Sequence, residues 1–183
     1  MKSVKLIVSV SLGLLVLSGC QTVKSMATSE AAPLPAEINV PIMGSNGQSI
    51  GQARLMPVAD GVRIDVRVSG LTPGKHGIHF HEKAICEAPS FDSAGAHFNP
   101  FKKQHGFLNP KGPHAGDLPN LIVDEQGNGN FNAVTKAVVL LPHKPNSLLQ
   151  SGGASLIIHE KEDDLKTDPT GNSGKRIACG VVK

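Results

Sequence analysis

Residues 61–68, "GVRIDVRV", alternate apolar and polar side chains over their whole length. Val62, Ile64, Val66 and Val68 fall on one face, and the polar residues between them fall on the other. A period of two is typical of a strand with one buried face and one face in water. The stretch therefore predicts a β-strand of a half-buried sheet.

Further short apolar segments surround this strand in the chain, separated by turn sequences such as "ADG", "TPG" and "EQGNGN". None of them carries the 3.6-residue apolar stripe of an amphipathic helix, and 20 glycines with 13 prolines favour turns. The sequence therefore predicts an antiparallel sandwich or a closed barrel. The candidate strands are 37–43, 50–56, 61–68, 77–82, 120–125, 129–135, 137–142 and 154–160.

The first 20 residues form a separate unit. Lys2 and Lys5 precede the run "LIVSVSLGLLVL", which is too short to span a bilayer and has the flanks of an export signal. The ending "LSGC" resembles the bacterial lipoprotein box, in which the chain is cut before the cysteine and the cysteine is acylated. We expect a signal peptide over 1–19, lipidated Cys20 and a polar tether over 20–36. An ordinary signal peptide with an incidental cysteine is the alternative.

An acylated Cys20 implies a lipid-anchored protein that faces the periplasm or another extracytoplasmic space of a bacterium. Loss of Lys2 and Lys5 with the signal lowers the net charge from +3 to +1. This near-neutral balance, without a basic patch interleaved with aromatic residues, argues against a nucleic-acid partner. In the oxidising compartment Cys86 and Cys179 are predicted to form a disulfide, and two free buried thiols are the alternative.

Histidines are concentrated in "HGIHFHEK", residues 76–83. His79 and His81 stand two apart, so a strand presents both rings on one face. His159 ends another apolar strand, "SLIIHE". Three neutral imidazoles converging from two strands suit copper or zinc, whereas a polar strip along a half-buried strand is the simpler reading.

Residues 83–119 and 160–176 are long, irregular stretches, and loops of such length in compact domains are commonly functional. The first of them contains His97, His105, His114 and Asp117. Three histidines and one carboxylate form a set that structural zinc accepts. A solvated loop is the alternative, but a metal would explain what orders a loop that has no core of its own.

Five stretches between residues 76 and 180 together match the motifs of a known family. From Glu37 to Lys183 the chain resembles the copper/zinc superoxide dismutases, in their exported bacterial branch. The resemblance implies an eight-stranded Greek-key β-barrel, in effect a flattened sandwich, with two long loops that carry the site. The matching stretches are "HGIHFHEK", "SAGAHFNP" at 93–100, "HAGDLPN" at 114–120, "IIHEKEDDL" at 157–165 and "GNSGKRIACG" at 171–180.

The resemblance also implies the metal ligands, one copper and one zinc per subunit. His97 would serve both metals as a bridging imidazolate, since two cations flanking one ring favour loss of its second proton. Asp163 would link a copper histidine to a zinc histidine, unless it is a plain surface carboxylate. The implied copper ligands are His79, His81, His97 and His159, and the implied zinc ligands are His97, His105, His114 and Asp117.

The implied activity is the disproportionation of superoxide to dioxygen and hydrogen peroxide. Arg176 matches the family's active-site arginine, which attracts the anion, and the disulfide would pin it beside the copper. His97 would take up and donate a proton. His76 matches a structural position, and His143 matches no ligand.

Two alternative functions remain compatible with the sequence. One is a copper-buffering lipoprotein that retains the fold, and the other is an envelope protein stabilised by zinc alone. The sequence also leaves open whether the protein is a monomer or a homodimer.

Overall fold

Nine β-strands and two short 3₁₀ helices, Asp92–Ala94 and Gln150–Gly152, make up the regular structure of residues 36–183, the part of the chain that a computed structural model describes. The predicted signal peptide, Cys20 and the predicted tether up to residue 35 lie outside the described residues. Within residues 36–183 no helix is long and apolar enough to cross a membrane. The strands are β1 Ile38–Gly44, β2 Ser49–Val58, β3 Gly61–Val68, β4 Gly74–His76, β5 Ile78–His81, β6 Leu121–Val123, β7 Gly129–Thr135, β8 Ala154–His159 and β9 Arg176–Val182.

The sheet closes on itself through residues 74–81. Its strand order is β4-β6-β7-β3-β2-β1-β9-β8-β5, with every pairing antiparallel, and the two end strands are separated only by Gly77. At Gly77 the backbone leaves the ladder, because its N–H donates to Lys161 O (2.8 Å) and its carbonyl accepts from His159 N (2.8 Å). When β4 and β5 are counted as one interrupted strand, the predicted eight-stranded Greek-key barrel is confirmed.

The interior of the barrel is filled by the apolar residues of each strand. In β3 the predicted alternation is confirmed: Val62, Ile64, Val66 and Val68 are buried, and the arginines between them are exposed. Neighbouring strands contribute residues such as Leu55 and Leu156 to the same core cluster. Burial of this apolar surface is the main force that holds the sheet closed.

Two strand assignments from the sequence were wrong. Residues 137–142 form no strand; Val138 and Leu140 instead bury their side chains in the core from an irregular connection. A continuous apolar run does not separate a strand from other buried backbone. Conversely, β9 was not predicted, because Gly180 follows Cys179 and interrupts its apolar pattern, yet β9 pairs with both β8 and β1.

The outer face of β5 and β8 is covered by two loops, which we call the first loop (residues 82–120) and the second loop (residues 160–175). Ile78 and Phe80 of β5 point into the core, so His79 and His81 point outward beneath these loops. The first loop is fastened to the free edge of β5 by backbone hydrogen bonds: Phe80 N donates to Gly116 O (2.9 Å) and Phe98 N donates to Phe80 O (2.8 Å). These bonds place His97 and Asp117 directly beside the strand histidines.

Candidate metal centre

Four buried imidazoles meet where the first and second loops lie over the barrel wall. His79 and His81 come from β5, His159 ends β8, and His97 comes from the first loop. One ring nitrogen of each lies within 4.8 Å of the ring nitrogens of the other three. The structure thus brings together the four residues assigned to copper from the sequence.

Each of the four rings has one nitrogen held by the protein and one nitrogen without a hydrogen-bond partner. The held nitrogens are His79 Nε2 on Asp163 Oδ2 (2.7 Å), His81 Nδ1 on Gly95 O (2.9 Å), His97 Nδ1 on Asp117 Oδ1 (3.1 Å) and His159 Nδ1 on Gly174 O (3.3 Å). The unpartnered nitrogens, all buried, are His79 Nδ1, His81 Nε2, His97 Nε2 and His159 Nε2.

This arrangement is the chemistry of a metal site. A buried polar atom without a partner costs free energy, and natural proteins rarely keep several together. Histidine ligands characteristically fix one ring nitrogen to a protein acceptor and offer the other to the metal. Burial lowers the pKa of His97 to about 4 and of His159 to about 3, and it also lowers those of His79 and His81. The rings are therefore neutral near pH 7, and the unpartnered nitrogen of each ring can offer its lone pair to a metal cation such as copper.

A second set of donors lies on the other side of His97. Asp117 Oδ1 is 3.1 Å from His97 Nδ1, 3.0 Å from His105 Nδ1 and 3.3 Å from His114 Nδ1, and the last is 3.4 Å from His97 Nδ1. A tetrahedral zinc with ligands at 2.0–2.1 Å has ligand-to-ligand edges of about 3.3 Å. Four of the six edges between the donors assigned to zinc from the sequence are therefore already close to those of a zinc tetrahedron.

Charge in this second set is strongly polarised. Burial would raise the pKa of Asp117, but hydrogen bonds from His105, His114 and His97 hold it well below its usual range. Burial opposes charge on His105 too, yet its contacts with Asp117 and Asp163 raise its pKa to about 9. In the metal-free protein His105 thus carries a proton between two carboxylates. A cation at the centre of the set would take the place of that proton.

His97 belongs to both sets through different atoms. Its Nδ1 faces Asp117 and His114, and its Nε2 is the unpartnered atom that faces the strand histidines. The ring centroids of His97 and His79 are 4.2 Å apart. One imidazole therefore separates the two donor sets, which is the geometry that a bridging ligand requires.

Asp163 connects the two sets a second time. Its Oδ2 accepts from His79 Nε2 (2.7 Å) and its Oδ1 from His105 Nε2 (3.0 Å), and the carboxylate is buried. Asn120 fixes the backbone of Asp163 with two bonds of 2.9 Å, one to its carbonyl and one from its N–H. Asn120 lies within the motif "HAGDLPN", but no role was predicted for it from the sequence. Its partner Asp163 is 43 residues away, so no local spacing indicates the contact.

Asp168 is a second residue of the site for which no role was predicted from the sequence. Its Oδ1 accepts from the backbone N of His105 (2.7 Å) and lies 3.7 Å from His114 Nε2. It thereby ties the second loop to the zinc-type set. The other histidines behave as the sequence suggested: His76 has both ring nitrogens 2.8 Å from carbonyl oxygens, of His159 and Thr72, and His143 is exposed far along the chain in a turn.

Three of the four histidines, His81, His97 and His159, line a cavity of about 540 Å³. Arg176 lies in its wall, together with Pro169, Thr170, Asn172 and Gly174 of the second loop. The guanidinium donates to two carbonyls of the first loop, Phe91 O and Gly95 O, each at 2.7 Å. A cation is thus fixed in the wall of the cavity that three of the four histidines line.

The predicted disulfide between Cys86 and Cys179 is confirmed. The bond joins the first loop to Cys179 of β9, three residues after Arg176. Cys179 belongs to a small buried cluster with Phe91, Ala94 and Ile157, and Cys86 packs against that cluster. Ala84 and Ile85, which precede Cys86, adopt no left-handed backbone conformation, so the path of the loop there needs no glycine.

Comparison with known proteins agrees with this geometry. A family model described as copper/zinc superoxide dismutase (SODC) matches residues 49–182. Two proteins of Aquifex aeolicus called superoxide dismutase [Cu-Zn] 1 and 2 are 50% and 43% identical; they cover 78% and 92% of this chain, and the matches span 85% and 96% of those proteins. The crystal structure of a SOD-like protein from Bacillus subtilis gives a TM-score of 0.78 at 38% identity, over 81% of this chain and 100% of that one.

Proposed function

The chain belongs to the copper/zinc superoxide dismutase family, and from that premise we propose how its residues serve the disproportionation of superoxide to dioxygen and hydrogen peroxide. The activity and the two metals follow from the family. The roles of individual residues are our proposal. It rests above all on one observation: four buried, unpartnered ring nitrogens converge beside a tetrahedral donor set, and His97 belongs to both.

We assign copper to His79, His81, His97 and His159, and zinc to His97, His105, His114 and Asp117. Bound copper would supply the redox chemistry by alternating between two oxidation states, whereas bound zinc would have no redox role. Asp163, held by Asn120, would orient one ring of each set through their outer nitrogens. Such outer partners fix both the tautomer and the direction of a ligating ring.

His97 is the residue that we expect to move a proton. Its Nδ1 is engaged in the zinc set, so its Nε2 is the atom that can gain and lose a proton in the course of turnover. His97 lines the cavity together with His81 and His159. A proton held there can be delivered to the reduced oxygen species, which needs two protons to leave as hydrogen peroxide.

Arg176 would attract and orient the anion. Superoxide carries one negative charge, and a fixed guanidinium at the mouth raises its local concentration and its rate of encounter. Burial lowers the pKa of Arg176, but the group remains cationic because its ordinary pKa is far above neutrality. Its two carbonyl acceptors leave the guanidinium in place while the substrate enters and leaves.

The assignment is tested by dismutase activity, measured as inhibition of superoxide-driven dye reduction. Protein loaded with copper and zinc should be active well above a free-metal control. His159→Ala should lose copper and activity together, whereas His143→Ala, which removes an exposed histidine, should retain both. A copper-loaded protein with no activity above the control would support the copper-buffering rival instead.

We further propose that the enzyme is exported, acylated at Cys20 and held at a bacterial membrane, where it would protect the cell envelope from superoxide. The basic and apolar start of the chain, followed by "LSGC", supports this location. Acyl label should be incorporated into the protein, and Cys20→Ser should abolish the label and move the protein out of the membrane fraction. Equal membrane association of the variant would refute the anchor.

A further inference from the structure

Arginine is segregated in this protein. The chain contains four arginines: Arg176 lines the copper cavity, and Arg54, Arg63 and Arg67 all lie on β2 and β3. All three of these strand arginines are exposed, on the outer face of the sheet. The lysines, by contrast, are spread over the loops and ends of the chain. Positive charges that served only solubility could be either lysine or arginine at any surface position, so solubility alone does not explain why the arginines cluster.

The three strand arginines surround one carboxylate. Asp65 lies between Arg63 and Arg67 on the same face of β3, and it is directly opposite Arg54 in the register of β2. Directly opposite residues have Cβ atoms about 5 Å apart and diagonal ones about 7 Å apart. On its other side Asp65 faces Asn132 of β7.

Asp65 nevertheless pairs with none of these arginines. Its Oδ1 accepts a hydrogen bond from Asn132 Nδ2. Within residues 36–183, Arg63 and Arg67 have no ion-pair partner, and Arg54 has only an exposed contact of 3.5 Å with Glu37. The guanidinium groups of Arg63 and Arg67 are therefore available to an external anion.

The same face carries a groove of about 430 Å³. Its walls combine Arg54 and Arg67 with the amide side chains of Gln52, Asn130 and Asn132. They also include the carboxylate of Asp65, whose Oδ1 accepts from Asn132. Guanidinium groups bind carboxylates through two parallel N–H bonds, and amides both donate to and accept from hydroxyl groups. The lining therefore suits a ligand that presents oxyanions and hydroxyls together.

We propose that this arginine face, defined by Gln52, Arg54, Arg67, Asn130 and Asn132 with Arg63 at its end, binds an acidic polysaccharide. Carboxylates of the polymer pair with Arg67 and with Arg54, where they take the place of the exposed contact with Glu37. Its hydroxyls bond to the amides. Arginine suits this role better than lysine, because its planar fork matches a carboxylate bidentately. The face lies outside both metal sets and serves attachment to a polymer, separately from dismutation.

The test is binding of the purified, metal-loaded protein to polygalacturonate, with neutral dextran and inorganic polyphosphate as comparison polymers. We expect binding to polygalacturonate at low ionic strength that weakens as salt is added. Arg54→Gln/Arg67→Gln should weaken it about tenfold, the size expected for loss of charged hydrogen bonds. Lys144→Gln/Lys183→Gln, which removes the same charge from exposed positions elsewhere, should weaken it less than twofold.

Arg67→Lys separates charge from geometry, because it keeps the cation and removes the fork. It should weaken binding several-fold while dismutase activity and thermal unfolding stay those of the parent protein. The proposal is overturned if polygalacturonate does not bind, if the two double variants lose affinity equally, or if Arg67→Lys binds as tightly as the parent. Tighter binding of polyphosphate would assign the face to a phosphate polymer, and binding of dextran would show that the arginines are not the determinant.

Discussion

The imidazole of His81 and the guanidinium of Arg176 are hydrogen-bonded to the same carbonyl oxygen, that of Gly95. His81 Nδ1 lies 2.9 Å from this oxygen and Arg176 Nη2 lies 2.7 Å from it. A proposed copper ligand and the proposed substrate-attracting cation are thus fixed by one atom of the first loop. Gly95 has φ of 76°, and a Cβ there would lie 2.6 Å from Glu82 Oε1, so only glycine fits without displacement.

Arg176→Ala is expected to lower kcat/KM about tenfold or more and to flatten its dependence on ionic strength. Copper content should be unchanged, since Arg176 binds the protein through carbonyls and offers no ligand atom. Stopped-flow decay of superoxide at several salt concentrations measures this. The matched control is Lys175→Ala, which removes the exposed neighbouring cation. If Arg176→Ala kept the parent rate and salt response, the steering role would be wrong.

Phe91 is expected to position Arg176. It is fully buried, its backbone is left-handed (φ 56°), and its carbonyl accepts from Arg176 Nη1. Phe91→Ala should destabilise the protein by about 3 kcal/mol, the lower end for such a buried truncation. It should also lower kcat/KM with metal content retained, and Phe91→Leu should restore most of both. Denaturant unfolding and kinetics on the same samples measure this. A stability loss with unchanged kinetics would reduce Phe91 to a packing role.

His105→Ala is expected to lose zinc and to loosen the first loop before the barrel unfolds. His105 joins the zinc-type set to Asp163 through its two ring nitrogens, and its backbone N is bonded to Asp168. Limited proteolysis should cut the variant within residues 83–119 while its far-ultraviolet circular dichroism stays that of the parent. His143→Ala is the control. Equal protease resistance of the two variants would contradict the view that zinc orders this loop.

Zinc binding should release about one proton from His105 near pH 7. The pKa of His105 in the metal-free protein is raised to about 9, so the ring is charged below that pH and neutral above it. Relative to the unfolded chain, the bound proton stabilises the metal-free fold below about pH 6.5, and this contribution is lost as the pH rises through 9. Calorimetry of zinc binding in buffers of different protonation enthalpy measures the release. Equal release at pH 7 and pH 10.5 would exclude His105 as its source.

Much of this molecule could be predicted from side-chain pattern alone. The alternation of residues 61–68 predicted their strand, and the spacing of His79 and His81 predicted two rings on one face, because both follow from local backbone geometry. The break at Gly77 could not be predicted, since it depends on hydrogen bonds to Lys161 and His159, about 80 residues away. The same holds for residues 137–142, whose apolar side chains fill the core without forming a strand.

In the site, too, some residues could be predicted from the sequence and others could not. The ligand residues were predictable because metal chemistry restricts them to histidine and carboxylate at motif positions. The supporting atoms were not: Gly95 and Phe91 act through backbone carbonyls, which leave no trace in side-chain type. Asn120 and Asp168 likewise acquire their partners only when distant loops meet.

One imidazole, that of His97, joins the proposed copper site to the proposed zinc site. A crystal structure of the copper- and zinc-loaded enzyme, with anomalous data at both metal edges, tests it most directly. We predict copper bonded to His97 Nε2 and zinc about 2.0–2.1 Å from His97 Nδ1, with His159 on the copper and Asp117 on the zinc. Density with His97 bound to one metal only, or with His159 turned away from the copper, would contradict it.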